Sequence, residues 1–273
     1  RTSARSVRRS SAMAAGAGGI ATEVCTNGLA VLTIDRPSAL NAADFAMVKT
    51  IRDTVADWSG RDDVRAIVFM GAGGRAFCSG GDVKSLYGEL MADPRSALPV
   101  DLVFQEYNLI YELRQLAKPT ISLLAGVTMG FGLGLAASAR YRIAVEKTRL
   151  AMPENNIGIM PDVGFSFLAA NVMPRGVGRL MAATGCHIIG PGGALESGLA
   201  THHVPSDRLP ELTAALQSAD LSGDAHAAVV GCIGDCSAAP EPGQLSGNAT
   251  LVESFAAAGS LEQAVQELEA AAQ

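Results

Sequence analysis

Cysteine is sparse in this sequence and poorly placed for cross-linking. There are five, Cys25, Cys78, Cys186, Cys232 and Cys236, odd in number and widely scattered. That pattern argues against a disulfide framework and points to free thiols in a reducing compartment. Histidine is scarcer still: His187, His202, His203 and His226, like the Cys232/Cys236 pair, lack the spacing of a zinc site, so no metal is expected. Charged residues make up only 18% and hydrophobic ones 48%, so the chain can bury a core and is not a disordered composition. Its 273 residues suit one large domain, with or without appendages. Acid is missing before Glu23, where Arg1, Arg5, Arg8 and Arg9 gather. Setting those four aside leaves 17 basic residues against 27 acidic, a body at −10 that is a poor surface for wrapping nucleic acid. One stretch lacks charge altogether, Pro119 to Ala139, 21 residues. Pro119, Gly126, Gly130, Gly132 and Gly134 interrupt it, so a buried strand, a turn and a buried helix explain it better than a membrane span.

What is present begins with RTSARSVRRSSA, rich in Arg and Ser. Organelle transit peptides have that composition, so residues 1–19 are expected to be a mitochondrial targeting remnant, with a disordered basic tail as the alternative. Residues 20–26 and 29–35 are predicted as strands joined at Asn27-Gly28, a hairpin signal. Asn41 is the expected N-cap of a helix reaching about Trp58, with Asp44 in its first turn. Val64–Met70, Thr120–Gly126 and YRIAVE are predicted strands, and residues 101–116 a helix. Strands ending in Gly-rich turns that open helices favour a parallel-rich α/β layer fold over residues 20–235. Residues 236–248, CSAAPEPGQLSGN, are predicted as a linker. Leu261–Ala272 is a predicted amphipathic helix within a helical region, 249–273.

Three loops concentrate the chemistry. GRAFCSGGD (Gly74–Asp82) places two glycines just before a helix start, where orphan N–H groups and the helix dipole suit an oxyanion. Alternatively it is a tight turn with Asp82 as a plain N-cap. GVTMGFGLGL (Gly126–Leu135) repeats the arrangement. Its glycine spacing is not GxGxxG and no Gly-Lys-Ser/Thr follows, so it is neither a dinucleotide nor a Walker loop. Close helix packing is its alternative reading. AMPENNIGIMPDVG (Ala151–Gly164) holds Glu154 and Asp162 among apolar residues, where carboxylates are costly unless used or paired. One held protonated and one ionised make an acid/base pair; otherwise Asp162 caps a helix and Glu154 faces solvent. Together, two sets of N–H donors and two carboxylates suit acyl chemistry on a thioester.

These loops, with DRPSALNA (Asp35–Ala42) and AFCSGGD (Ala76–Asp82), resemble the crotonase (enoyl-CoA hydratase/isomerase) superfamily from about residue 20 to 205. The resemblance implies an α/β fold of repeated ββα units, the ClpP/crotonase superhelix, with C-terminal helices that extend past residue 273. It implies an oxyanion hole built from the backbone N–H groups of Gly81 and Phe131. The family usually has Gly at the second position; the phenyl ring either narrows the pocket or packs away. A hydratase carries a second Glu three residues further on, where this chain has Gly134. MPEN–IG–MPDVG is instead similar to the 3-hydroxyisobutyryl-CoA hydrolase branch. That branch implies thioester hydrolysis in valine catabolism, with Glu154 as base or nucleophile and Asp162 at the hydroxyl end or the leaving thiolate. In FQEY, Glu106 falls where the branch contacts substrate. Asp82 and Lys84 are further substrate-binding candidates, a solvated surface lysine being the alternative for Lys84. No cofactor is implied, since CoA arrives with the substrate. The superfamily also implies trimer-based assembly. In some lineages it implies a structural place in the mitochondrial small ribosomal subunit.

Overall fold

The computed structural model describes residues 14–15 and 19–271. The expected targeting segment, 1–19, lies outside the described residues except Ala14, Ala15 and Gly19.

The chain opens with a meander. Strand β1 (Ala14–Ala15) pairs antiparallel with β2 (Ile20–Val24), and β2 pairs antiparallel with β3 (Leu29–Ile34). Their turn forms where Asn27-Gly28 predicts it: Asn27 Oδ1 accepts from Leu29 N at 3.2 Å, and Gly28 has φ +86°. Helix α1 (Phe45–Gly60) follows. Its N-cap is Asp44, not the expected Asn41. Asp44 is extended, and its carboxylate accepts from Met47 N at 2.9 Å. Asn41 is fully buried: its Oδ1 accepts from Arg36 N, and its Nδ2 donates to Ala72 O and Ala76 O. A buried amide with partners on three segments ties loops together instead of starting a helix.

Three strand–strand–helix units come next. Strands β4 (Ala66–Gly71) and β5 (Ala76–Cys78) lead to α2 (Val83–Ala92) and α3 (Leu98–Gln115). Strands β6 (Thr120–Leu124) and β7 (Val127–Met129) lead to α4 (Phe131–Ser138). Strands β8 (Tyr141–Ala144) and β9 (Arg149–Ala151) lead through the loop 152–164, which holds a 3-10 turn at Glu154–Ile157, to α5 (Phe165–Asn171) and α6 (Val177–Thr184). Then come β10 (Ile188–Ile189), α7 (Gly190–Glu196), β11 (His202–His203), α8 (Leu209–Ser218), α9 (Ala225–Cys236), α10 (Ala249–Ala257) and α11 (Leu261–Ala271).

The first strand of each unit joins a seven-stranded sheet, ordered β1-β2-β3-β4-β6-β8-β11 and parallel from β3 onward. The second joins a four-stranded sheet, ordered β10-β9-β7-β5. Alternation along the large sheet feeds two cores. Ala30, Leu32, Ile34, Ile67 and Phe69 face inward with α1, α3 and α4, while Leu29, Ala66, Val68, Ile121 and Leu123 pack beneath Leu212, Leu216, Val229 and Ile233 of α8 and α9. Parallel strands buried on both faces read as unbroken apolar runs, as AIVFM (Ala66–Met70) does. Each fully buried Leu, Ile or Phe contributes roughly 1.5–3 kcal/mol. Residues 237–245 have no regular structure, yet they are anchored: the Glu196 carboxylate accepts from the N–H groups of Gly243, Leu245 and Ser246. No helix among the described residues is long and apolar enough to cross a membrane.

Candidate active site

The small sheet assembles the site. Strands β5, β7 and β9 are adjacent and parallel, and each ends in one of the three loops picked out from the sequence. Neighbouring strands lie about 4.8 Å apart, so their exits converge.

Gly81 leaves β5 in a single parallel bridge to Ala43. Ala43 N donates to Gly80 O at 2.9 Å and Asp82 N to Ala43 O at 2.8 Å. Among the described residues, no backbone acceptor takes the N–H of Gly81. Phe131 is the first residue of α4, so its N–H has no partner within the helix. The Phe131 ring is buried in the inner core, so the second of the two outcomes for its side chain holds. Gly130, just before it, has φ +52°, and a Cβ there would lie 3.0 Å from Glu154 Oε1 and 3.6 Å from the Gly80 Cα. Only glycine serves at Gly130, on both torsion and space. The same closeness places the Glu154 carboxyl beside Gly130, which directly precedes Phe131 and lies against Gly80.

Glu106 arrives from α3. Its Oε1 lies 3.8 Å from where a Cβ on Gly81 would be. Glu106 and Glu154 are each less than a tenth exposed. Burial, then the charges of Asp162 and Glu154, push the Glu106 carboxyl up to about 8. Burial, with Asp162 adding to it, pushes Glu154 up to about 7. Burial also raises Asp162, while a hydrogen bond from Tyr107 pulls the other way. Three carboxyls that feel one another in an apolar setting cannot all be ionised together near neutral pH. Oε2 of Glu154 is buried and has no hydrogen-bond partner among the described residues, which leaves it available to a reacting group.

Asp162 lies on a cleft of about 980 Å³ lined also by Tyr107, Ile110, Arg114, Val163 and Phe167. The next residue, Val163, has φ +39°. A β-branched residue in the left-handed region is strained, and such strain gathers where a site over-determines the chain. Val163 also closes over Gly134, the position where the family resemblance expects a hydratase's second Glu: a Cβ on Gly134 would lie 2.7 Å from Val163 Cβ, Cγ2 and O.

The remaining candidates are differently placed. Asp82 caps α2: its Oδ1 accepts from Ser85 N, and its Oδ2 accepts from Arg36 at 2.7 Å and from Ser85 Oγ at 3.0 Å. Burial alone raises such a group, but Arg36 and Ser85 outweigh it and hold the carboxyl below its usual range. Both oxygens are therefore engaged inside the protein. Lys84 is exposed on α2. Tyr107 escaped the sequence reading. Its phenol donates to Asp162 Oδ2 at 3.0 Å across 55 residues of chain. Tyr107 follows Glu106 directly, about 100° round the helix, so no periodicity marks it.

Repeated ββα units whose inner strands bring two loop N–H groups and a buried carboxyl close together have the architecture of the crotonase fold. The chain belongs to the enoyl-CoA hydratase/isomerase family, whose model matches residues 29–273. It is 37% identical over 188 residues to the mitochondrial 3-hydroxyisobutyryl-CoA hydrolase of Gallus gallus, a match covering 68% of this chain and 47% of that one. It is equally 37% identical over 184 residues to small ribosomal subunit protein mS47 of Neurospora crassa, covering 67% of this chain and 36% of the relative. The chain spans about half the length of the curated hydrolases it matches. A carnitinyl-CoA dehydratase from Mycobacterium thermoresistibile superposes with a TM-score of 0.83 at 30% identity, covering 93% of this chain and 71% of that structure.

Proposed function

We propose that the chain hydrolyses a short hydroxyacyl-CoA thioester, 3-hydroxyisobutyryl-CoA being the first substrate to try. The observation that carries this reading is the Glu154 carboxyl against Gly130, the residue that precedes Phe131 and packs on Gly80, with a buried unpartnered oxygen and a carboxyl raised to about 7. The two N–H groups polarise the thioester carbonyl and hold the negative charge that grows on its oxygen. Glu154, ionised, takes a proton from water as the water oxygen bonds to the carbonyl carbon. The C–S bond then breaks, and that proton passes to the leaving thiolate, giving free CoA and a carboxylic acid. Glu106, the more readily protonated acid, donates a hydrogen bond to the acyl group. Asp162, ionised, accepts one from the acyl hydroxyl. Hydration of an enoyl-CoA is disfavoured because Val163 occupies the space of the second hydratase carboxyl at Gly134. CoA enters with the substrate and no other cofactor is required. A mitochondrial site of action rests on the names of relatives such as the Gallus gallus hydrolase.

The test is release of CoA thiol from 3-hydroxyisobutyryl-CoA, with crotonyl-CoA as control. Rapid release from the first and no hydration of the second is expected. Glu154→Gln should lose about 10²–10⁴-fold in kcat. Full activity in both Glu154→Gln and Asp162→Asn overturns the assignment. Release from neither substrate by a folded chain would favour an assembly role of the kind named for the Neurospora crassa relative, read by cosedimentation with small ribosomal subunits across a salt series.

A further inference from the structure

Asp162 stands between two influences. Its backbone is fixed by the strained Val163 and by Gly164 at φ +81°, with Phe165 N donating to its carbonyl at 2.7 Å. Its side chain receives one hydrogen bond among the described residues, from Tyr107 Oη to Oδ2 at 3.0 Å, which leaves Oδ1 for a ligand. Glu106 from α3 and Glu154 from the turn after β9 bring negative charge toward the same place. Arg114, Arg140 and Arg142 line the same cleft, and none of them pairs with Asp162. Arg114 stacks on Phe167, its guanidinium carbon 4.6 Å from the ring centre, and Arg142 donates to the carbonyls of Ala139, Gly198 and Leu199. The phenol is thus the group that holds this carboxylate.

We propose that Tyr107 is a positioning residue: by donating to Oδ2 it keeps Asp162 ionised and turned toward the acyl hydroxyl, while Glu106 holds the proton of the cluster and Glu154 stays free to act as base. A donor to the charged form favours that form, and a hydrogen bond to an ionised group is about twice as strong as a neutral one. Among three mutually repelling acids, one such bond decides which acid is the acceptor. Adjacent positions on α3 thereby serve two ends of the site, Glu106 at the Gly81 donor and Tyr107 at Asp162. Burial and the neighbouring Asp162 push the phenol itself up to about 12, so it stays a donor through the working range.

The proposal rests on the hydrolase reading for its kinetic consequence but not for its primary test. That test is a pH titration of [4-¹³C]aspartate-labelled full chain by carboxyl NMR, the Asp162 signal being assigned by its loss in Asp162→Asn. Tyr107→Phe should raise the Asp162 midpoint by about one pH unit. Tyr107→3-fluorotyrosine, a stronger donor of nearly the same size, should lower it; this second variant serves if the Phe variant folds poorly. Tyr87→Phe, on exposed α2, should leave it unmoved. Unmoved midpoints in both Tyr107 variants overturn the proposal. The kinetic arm compares 3-hydroxyisobutyryl-CoA with isobutyryl-CoA. Tyr107→Phe should erase about tenfold of the preference for the hydroxylated substrate, chiefly through KM, whereas a merely structural role would slow both alike. A wild type without thioesterase activity, but with the expected NMR shifts, would sink the hydrolase reading and leave the positioning role standing.

Discussion

Gly134 tests whether packing, and not only the lack of a carboxylate, underlies the proposed bias against hydration. Gly134→Ala adds one methyl group. In a helix interior that exchange is worth about 1 kcal/mol in favour of alanine. Here the new Cβ would lie 2.7 Å from three Val163 atoms, one of them the backbone oxygen. Overpacking costs about 1–3 kcal/mol, and a blocking backbone places it at the upper end, so a net loss of about 2 kcal/mol is expected. At about 2–4 °C per kcal/mol for a chain of this size, the melting temperature should fall by about 4–8 °C. Gly88→Ala is the control. Gly88 lies in α2, and a Cβ there meets nothing within 4 Å, so the same exchange should stabilise by about 1 kcal/mol. Urea denaturation of both variants reads the difference of about 3 kcal/mol. Thioesterase activity should fall in Gly134→Ala, because relief of the contact moves Val163 and with it Asp162. A Gly134→Ala variant as stable as wild type would refute the packing argument, since the Val163 loop would then be free to yield.

Two further outcomes follow from the acids. Glu106 is raised from 4.5 to about 8, so the folded state holds its proton over that window while the unfolded chain releases it. Its contribution is therefore complete below 4.5 and is lost as pH rises toward 8, with a slope of at most about 1.4 kcal/mol per pH unit. Glu106→Gln should flatten that decline in urea titrations between pH 5 and 9, and parallel curves would show that Glu106 is not held neutral. Asp82→Ala should cost about 1–2 kcal/mol through the lost cap and the partly exposed Arg36 pair, with KM changed less than about twofold. A tenfold rise in KM at unchanged stability would instead place that carboxylate on the substrate.

The sequence showed the strands best where burial on both faces makes them charge-free runs, plainly apolar in Ala66–Met70 and broken only by small hydroxyl residues in Thr120–Leu124. It showed the hairpin because Asn27-Gly28 permits few alternatives. It misplaced the cap of α1 because Asn and Asp are equally good caps. What separates Asn41 from Asp44 is that Asn41 meets Arg36, Ala72 and Ala76, partners up to 35 residues away. The short β5, β7 and β9 all lay hidden in or beside the loops, since three residues carry no period. Without β5, the adjacency of β5, β7 and β9 that brings the three loops together has no local signature.

The site shows the same division. Glu106 came only through the family resemblance, whereas glycines at 80, 81 and 130 and the acids at 154 and 162 were legible as residue types, since each is costly or conspicuous where it stands. Their division of labour was not, because it depends on distances between loops. Glu154 gains its place from Gly130, whose missing side chain leaves room for the carboxyl. Asp162 gains its place from Val163, which accepts a strained torsion and closes the space over Gly134. In the proposed reaction, one packing event would therefore have two chemical effects: Val163 closes the space over Gly134, and the neighbouring Asp162, held by Tyr107, is the acid offered to the substrate. A change of reaction within the fold then needs no new element. It needs a loop that crosses α4 closely enough to make glycine obligatory at 134, and Gly134 and Asp162 are to be read as one feature.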